Sequence, residues 1–156
     1  MDYVFDTSSF IVIGHYFPDR FPSFWQHFDE AVSRRQILST REVLGELDTK
    51  NSRAHLRDWL ARNRAIFTTP TAAETEFVSR IFSVAHFRQL VRQRDRLQGR
   101  PVADPFVIAA AAIRNACVVT EESLKPNAAR IPNVCEYFSI AWKSLEGFMA
   151  AEGWRF

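Results

Sequence analysis

Tyr3-Val4-Phe5-Asp6-Thr7-Ser8-Ser9-Phe10-Ile11-Val12-Ile13 is the stretch whose reading decides the fold. Its first three residues form a short β-prone run. The acid and hydroxyls that follow suit the start of a helix carrying Phe10 to Ile13, so the stretch reads as a strand feeding directly into a helix. The order recurs at Arg35-Gln36-Ile37-Leu38-Ser39, a buried strand by composition, with Thr40 placed to cap a helix from Arg41 to about Asp48. Further along, Gly99-Arg100-Pro101 marks a loop and Asp104-Pro105 sets an acid at a cap with a proline at the first helical position. Phe106 to Arg114 is then a helix apolar nearly all round, and Ala116-Cys117-Val118-Val119-Thr120 an unalternating strand of the kind buried in a parallel sheet.

Between these units lie further helices. Pro22-Ser23 opens one with Phe24, Trp25, Phe28 and Val32 at helical spacing, Leu56, Trp59 and Leu60 mark another from about Ser52 to Asn63, and Pro70-Thr71 starts a third carrying Phe77 and Ile81. Ile131 to Tyr137 is expected to supply a last short strand, and Ala141 to Ala151 a closing helix. Strands alternating with helices, without repeats or linkers, imply one α/β domain over residues 1–156. The expected architecture is three-layered, a central parallel sheet of about four to five strands flanked by helices on both faces.

The bulk numbers agree. A chain of 156 residues with 47% hydrophobic and 24% charged residues has ordinary globular composition and excludes disordered and fibrous classes. No basic leader precedes Tyr3, and the longest apolar run, Phe106 to Ile113, is far shorter than the roughly 20 residues a bilayer requires, so a soluble, cytoplasmic protein without membrane contact is expected. Cys117 and Cys135, the two cysteines, sit in apolar contexts without metal-ligand spacing and read as buried, reduced thiols. A formal charge of +2 is mild, but Arg80, Arg88, Arg92, Arg94, Arg96 and Arg100 cluster with Asp95 as the one acid among them. Such a cluster either tracks a phosphate backbone, with Arg88, Arg92, Arg94 and Arg96 as nucleic-acid contacts, or is a solvated helix face.

Active sites of open parallel sheets lie beyond the carboxyl ends of the strands, which singles out four acids. Asp6 follows the first strand, Glu122 lies two residues past Thr120, Asp104 caps the helix leading into that strand, and Glu46 sits on the helix after the Ile37 strand. Each alone has an ordinary structural reading, Asp6 and Asp104 as helix caps and Glu46 and Glu122 as surface charges. Two carboxylates about 4 Å apart repel by roughly 4 kcal/mol at an effective dielectric near 20, so a fold that gathers four must supply a counter-charge. A hard divalent ion, Mg²⁺ or Mn²⁺, suits an all-oxygen set. It would acidify a water and neutralise a phosphodiester, making a protein nucleophile unnecessary. Ser8 and Thr120 offer hydroxyls to position these groups. An aspartyl-phosphate enzyme, the rival hydrolase, usually wants a second acid two residues after the first, and Ser8 stands there.

Taken together, Asp6-Thr7-Ser8-Ser9, Glu46-Leu47, Ala103-Asp104-Pro105-Phe106-Val107-Ile108-Ala109-Ala110 and Val118-Val119-Thr120-Glu121-Glu122 resemble the acidic motifs of the PIN domain, in order and approximate spacing. Pro22-Ser23-Phe24-Trp25 and Ile131-Pro132-Asn133-Val134-Cys135 are more similar to a little-characterised PIN-like branch. The resemblance implies a metal-dependent endoribonuclease acting on single-stranded RNA. Asp6, Glu46, Asp104 and Glu122 would be its catalytic acids, with Asp6, Asp104 and Glu122 on the metal. It also implies VapC-type toxins as relatives, a cognate antitoxin with a helix-turn-helix domain, and a homodimer. The sequence departs from the pattern twice. Glu121 and Glu122 compete for a place usually held by Asp, where the offset from Thr120 favours Glu122. Glu42 competes with Glu46 and stands as a possible supporting group. The rival reading is a PIN-like module without catalysis that docks RNA or protein. Trp154 and Phe156, hard to bury at a chain end, are candidate partner contacts.

Overall fold

Val4 and Phe5 are fully shielded from solvent and Tyr3 nearly so, which places the first strand, β1 (Tyr3–Phe5), in the middle of the molecule. The computed structural model describes residues 1–49, 52–91 and 102–156. In chain order, β1 is followed by α1 (Thr7–Ile13), α2 (Pro22–Ser33), β2 (Ile37–Thr40), α3 (Arg41–Thr49), α4 (Ala54–Arg62) and β3 (Phe67–Thr68). Then come α5 (Ala72–Ser83), a 3-10 turn (Ala85–Leu90), α6 (Asp104–Arg114), β4 (Cys117–Val119), α7 (Ile131–Tyr137), β5 (Trp142–Lys143) and α8 (Leu145–Ala151). The sheet order is β3-β2-β1-β4-β5 and every pairing is parallel, with Tyr3 opposite both Ile37 and Cys117.

Parallel strands buried on both faces need apolar residues throughout, as β1 and β4 have. One face carries an aromatic core in which the Phe5 ring lies 5.6 Å from Phe28 of α2 and 5.2 Å from Phe148 of α8. Against the strands also packs α6, whose Val107, Ile108, Ala109, Ala110 and Ala111 are buried, with α5 laid along it. The run of alanines is what lets a helix lie close to both neighbours, as its all-round apolar sequence requires. Both cysteines are fully buried and unpaired, as expected. No described helix is long and apolar enough to cross a membrane.

Two expected elements exchange places near the C-terminus. Ile131 to Tyr137 is a helix, not a strand: Pro132 stands in its first turn, where no backbone donor is needed, and the Ile131 N–H is taken by the Glu122 carboxylate. The closing strand is instead Trp142–Lys143, and the last helix begins only at Leu145, after Ser144 accepts the Gly147 N–H as its cap. The strand Phe67–Thr68, two residues long, had no legible pattern. Trp154 packs its ring 4.9 Å from Phe148 and 6.1 Å from Phe24, so core packing accounts for it, while Phe156 remains 59% exposed.

Candidate active site

Strand order reverses at β1: β2 and β3 continue to one side, β4 and β5 to the other. Such a switch point opens a crevice beyond the carboxyl ends of the two central strands, here β1 and β4. Asp6 and Thr120 are the residues that follow those strands, and the Asp6 N–H donates to the Val119 carbonyl at 3.1 Å.

Asp6 is 2% exposed. Its extended backbone lets the side chain turn back onto α1, where Oδ1 accepts the Ser9 N–H at 2.9 Å, the capping role read from the sequence. The Ser8 hydroxyl lies 2.8 Å from each carboxylate oxygen, and the Thr120 hydroxyl donates to Oδ2 at 2.6 Å. Burial drives the Asp6 pKa above the ordinary carboxylate range, opposed by the hydrogen bonds from Thr120, Ser9 and Ser8. Both hydroxyls also accept from the next turn of chain: Ser8 takes the Glu121 N–H at 3.0 Å and Thr120 the Glu122 N–H at 3.1 Å.

Glu46 links the other two segments. Its Oε2 accepts the Thr7 hydroxyl at 3.0 Å and its Oε1 the Ala103 N–H at 3.3 Å, so one carboxylate bridges the residue after Asp6 and the residue before Asp104. The chain neighbours of Asp6 and Asp104 are thereby tied to one side chain of α3. Asp104 is half-buried in the first turn of α6 and not at its cap position, which is Ala103, because the helix opens one residue earlier than its Asp-Pro signal suggested. Among the described residues, no three His, Cys, Asp or Glu side chains close into a ready-made metal cage.

The competing acids are separated by their surroundings. Glu42 meets Arg41 at 3.4 Å and lies near Glu74, and its carboxylate oxygens are buried without a hydrogen-bond donor among the described residues. Burial raises its pKa, with Arg41 opposing and Glu74 adding to the rise. Glu122 directs Oε2 onto the Ile131 N–H at 2.8 Å, at the start of α7, and Glu121 directs Oε1 onto the Leu145 N–H at 2.6 Å, at the start of α8. Ser9 and Thr7 are site residues that the acid-centred reading passed over; the hydroxyl run after Asp6 was their signal.

Of the basic cluster, the Arg88 Nε donates to the Phe82 carbonyl at 3.0 Å, and Arg80 lies over the rings of Phe77 and Phe138 at 5.1 and 5.5 Å. Arg92, Arg94, Arg96 and Arg100 lie outside the described residues.

Among solved structures, a chain of the crystal structure of VapBC2 from Rickettsia felis bound to a DNA fragment from their promoter superposes with a TM-score of 0.54 at 15% identity, covering 92% of this chain and 98% of that one. At that identity the match speaks for the fold. A search of curated proteins finds no match. A family model covers residues 3–156. With that coverage the chain belongs to the family described as Domain of unknown function (DUF4411), and its fold is PIN-like.

Proposed function

We propose that this chain is a metal-dependent endoribonuclease that hydrolyses single-stranded RNA phosphodiesters, acting as the toxin of a toxin-antitoxin pair. The observation that carries the reading is Asp6, a carboxylate 2% exposed at the switch point of a parallel sheet, held by two hydroxyls and an amide. Burying an acid costs several kcal/mol unless it is compensated, and a purely structural cap does not need burial to that degree.

The donor set suits Mg²⁺ or Mn²⁺, since it is all carboxylate and hydroxyl oxygen. Mg²⁺ is commonly held by one or two carboxylates with water completing its shell, which accords with the lack of a closed cage among the described residues. Asp6 and Asp104 would hold the ion, and Glu122 would reach it through water. When bound, it supplies charge neutralisation on the phosphodiester and a more acidic water.

The chain's own groups do the rest. Ser8 and Thr120 fix both oxygens of Asp6, and Glu46 fixes the distance between the α1 and α6 termini by bridging Thr7 and Ala103. The N-terminus of α6 favours negative charge at Asp104 and on the phosphate beside it. The partner proposed is an antitoxin with a helix-turn-helix domain, supported by the structural likeness to a chain of a VapBC2 complex.

The test is cleavage of single-stranded RNA by purified protein with Mn²⁺ and with chelator, on wild type, Asp6→Asn and Asp104→Asn. Cleavage only by wild type with Mn²⁺ is expected, and full cleavage by either variant would refute the assignment.

A further inference from the structure

Beyond the acids, α7 carries a second feature that catalysis does not use. Its residues Asn133, Glu136 and Tyr137 lie beside His86 and Phe87 of the 3-10 turn and Asn127 of the preceding loop around a shallow, widely open hollow. Tyr137 is 61% exposed, with its ring 5.1 Å from Phe87 and perpendicular to it, and His86 lies 5.9 Å from Phe87. The same ring also meets Phe138 at 4.8 Å, so an exposed aromatic stands braced by two others.

The polar groups indicate what would enter. Among the described residues that line the hollow, the charged member is the Glu136 carboxylate, which accepts the Trp142 indole N–H at 2.9 Å, and there are two side-chain amides. A carboxylate disfavours a phosphate and welcomes hydrogen-bond donors. Asn133 is held in place by its own donation to the Lys125 carbonyl at 2.7 Å. A flat, neutral, donor-bearing ring matches this lining, and nucleobases with exocyclic amines fit that description.

The hollow is tied to the acids through one hydrogen bond. Glu122 accepts the Ile131 N–H at the start of the same short helix, two residues before Asn133, so the crevice and the hollow share an element. We propose that this hollow is a base-binding subsite: one unpaired adenine, cytosine or guanine of the RNA strand stacks on Tyr137 and donates to Glu136 and Asn127. The inference rests on the ribonuclease reading for its choice of ligand.

The experiment measures binding of fluorescein-labelled hexa-adenylate, hexa-cytidylate and hexa-uridylate by anisotropy in chelator, where cleavage is silent, for wild type, Tyr137→Ala and Tyr137→Phe. Base stacking predicts about tenfold weaker binding of the adenylate by Tyr137→Ala, near-wild-type binding by Tyr137→Phe, and weaker binding of uridylate than adenylate by wild type. Because Tyr137 is exposed, both variants should keep the wild-type melting curve, and a lowered Tm in Tyr137→Ala shifts the comparison to competition by free adenosine and uridine monophosphates on wild type. Equal affinity of Tyr137→Ala and wild type, or no preference for adenine over uracil, overturns the subsite. Cleavage with Mn²⁺ run in parallel keeps the two ideas apart: its absence in wild type sinks the ribonuclease reading, whereas intact cleavage with unchanged Tyr137→Ala binding sinks only the subsite.

Discussion

The Thr120 hydroxyl stands 2.6 Å from Asp6 Oδ2, joining the ends of the two central strands across 114 positions of sequence. Thr120 is fully buried, so this hydroxyl is held by the fold and not by solvent. It opposes the burial that raises the Asp6 pKa more than any other group does. Thr120→Val keeps the shape and removes the donor. Asp6 should then titrate at higher pH still, and metal-dependent cleavage at neutral pH should fall by about 10- to 100-fold, as losses of groups that orient a ligand do. The acid limb of the pH-rate profile should move to higher pH in the variant. An unmoved limb with unchanged rate would show that Thr120 does not govern the ionisation of Asp6.

Glu122 and Glu121 invite a paired comparison. Each carboxylate accepts a backbone N–H at a helix start, Ile131 for one and Leu145 for the other. Removing such a bond costs about 1 kcal/mol, so Glu122→Ala and Glu121→Ala should both lower thermal stability. Glutamine keeps an accepting oxygen and should restore stability in both. Cleavage separates them: Glu122→Gln should lose activity at wild-type stability, while Glu121→Gln should retain it. The opposite pattern in the cleavage assay would hand the fourth position to Glu121.

The contrast between these two pairs shows what was legible in the sequence. The Asp6 cap and the buried strands were readable because each is local: an acid after an apolar triplet, or an unbroken apolar run. The Ile131 segment was misread because its β-prone residues are local too, whereas the donor-acceptor pair that stabilises it as a helix comes from Glu122, nine residues away. Residues Phe67–Thr68 and Trp142–Lys143 are strands because a neighbouring strand is already in place to pair with them, which two residues cannot announce. Glu42 and Glu46, four residues apart, look alike in one dimension. In the fold, two distant segments give Glu46 its Thr7 and Ala103 contacts, whereas Glu42 meets its neighbour Arg41.

Glu42 is costly to keep charged. Its carboxylate oxygens are buried without a hydrogen-bond donor among the described residues, and burial raises its pKa. A carboxyl whose pKa is higher in the folded than in the unfolded state favours folding while protonated. Its contribution is therefore complete below the ordinary carboxylate pKa and is lost as pH rises through the folded-state value. Glu42→Gln should accordingly melt a few degrees above wild type at pH 8, with the gap closing as the pH is lowered towards 4. Thermal scans across that range check it, and a Glu42→Gln that melts below wild type at pH 8, with the deficit vanishing at low pH, would mean that the Arg41 ion pair outweighs burial.

The acid cluster itself should be visible in stability before any RNA is added. Carboxylates that share a divalent ion repel one another when it is absent, so on the proposed metal site Asp104→Asn should melt at or above the wild-type temperature in chelator. Adding Mn²⁺ stabilises the state that binds it by an amount set by the ratio of free ion to its dissociation constant, about 2.7 kcal/mol at a hundredfold excess. Wild type should gain several degrees on Mn²⁺ addition, and Asp104→Asn and Asp6→Asn should gain little, so the order of stabilities inverts between chelator and metal. Ca²⁺ at the same concentration is the control for general charge screening. If wild type and both variants respond equally to Mn²⁺, the ion is not held by Asp6 and Asp104 and the metal-dependent reading falls with it.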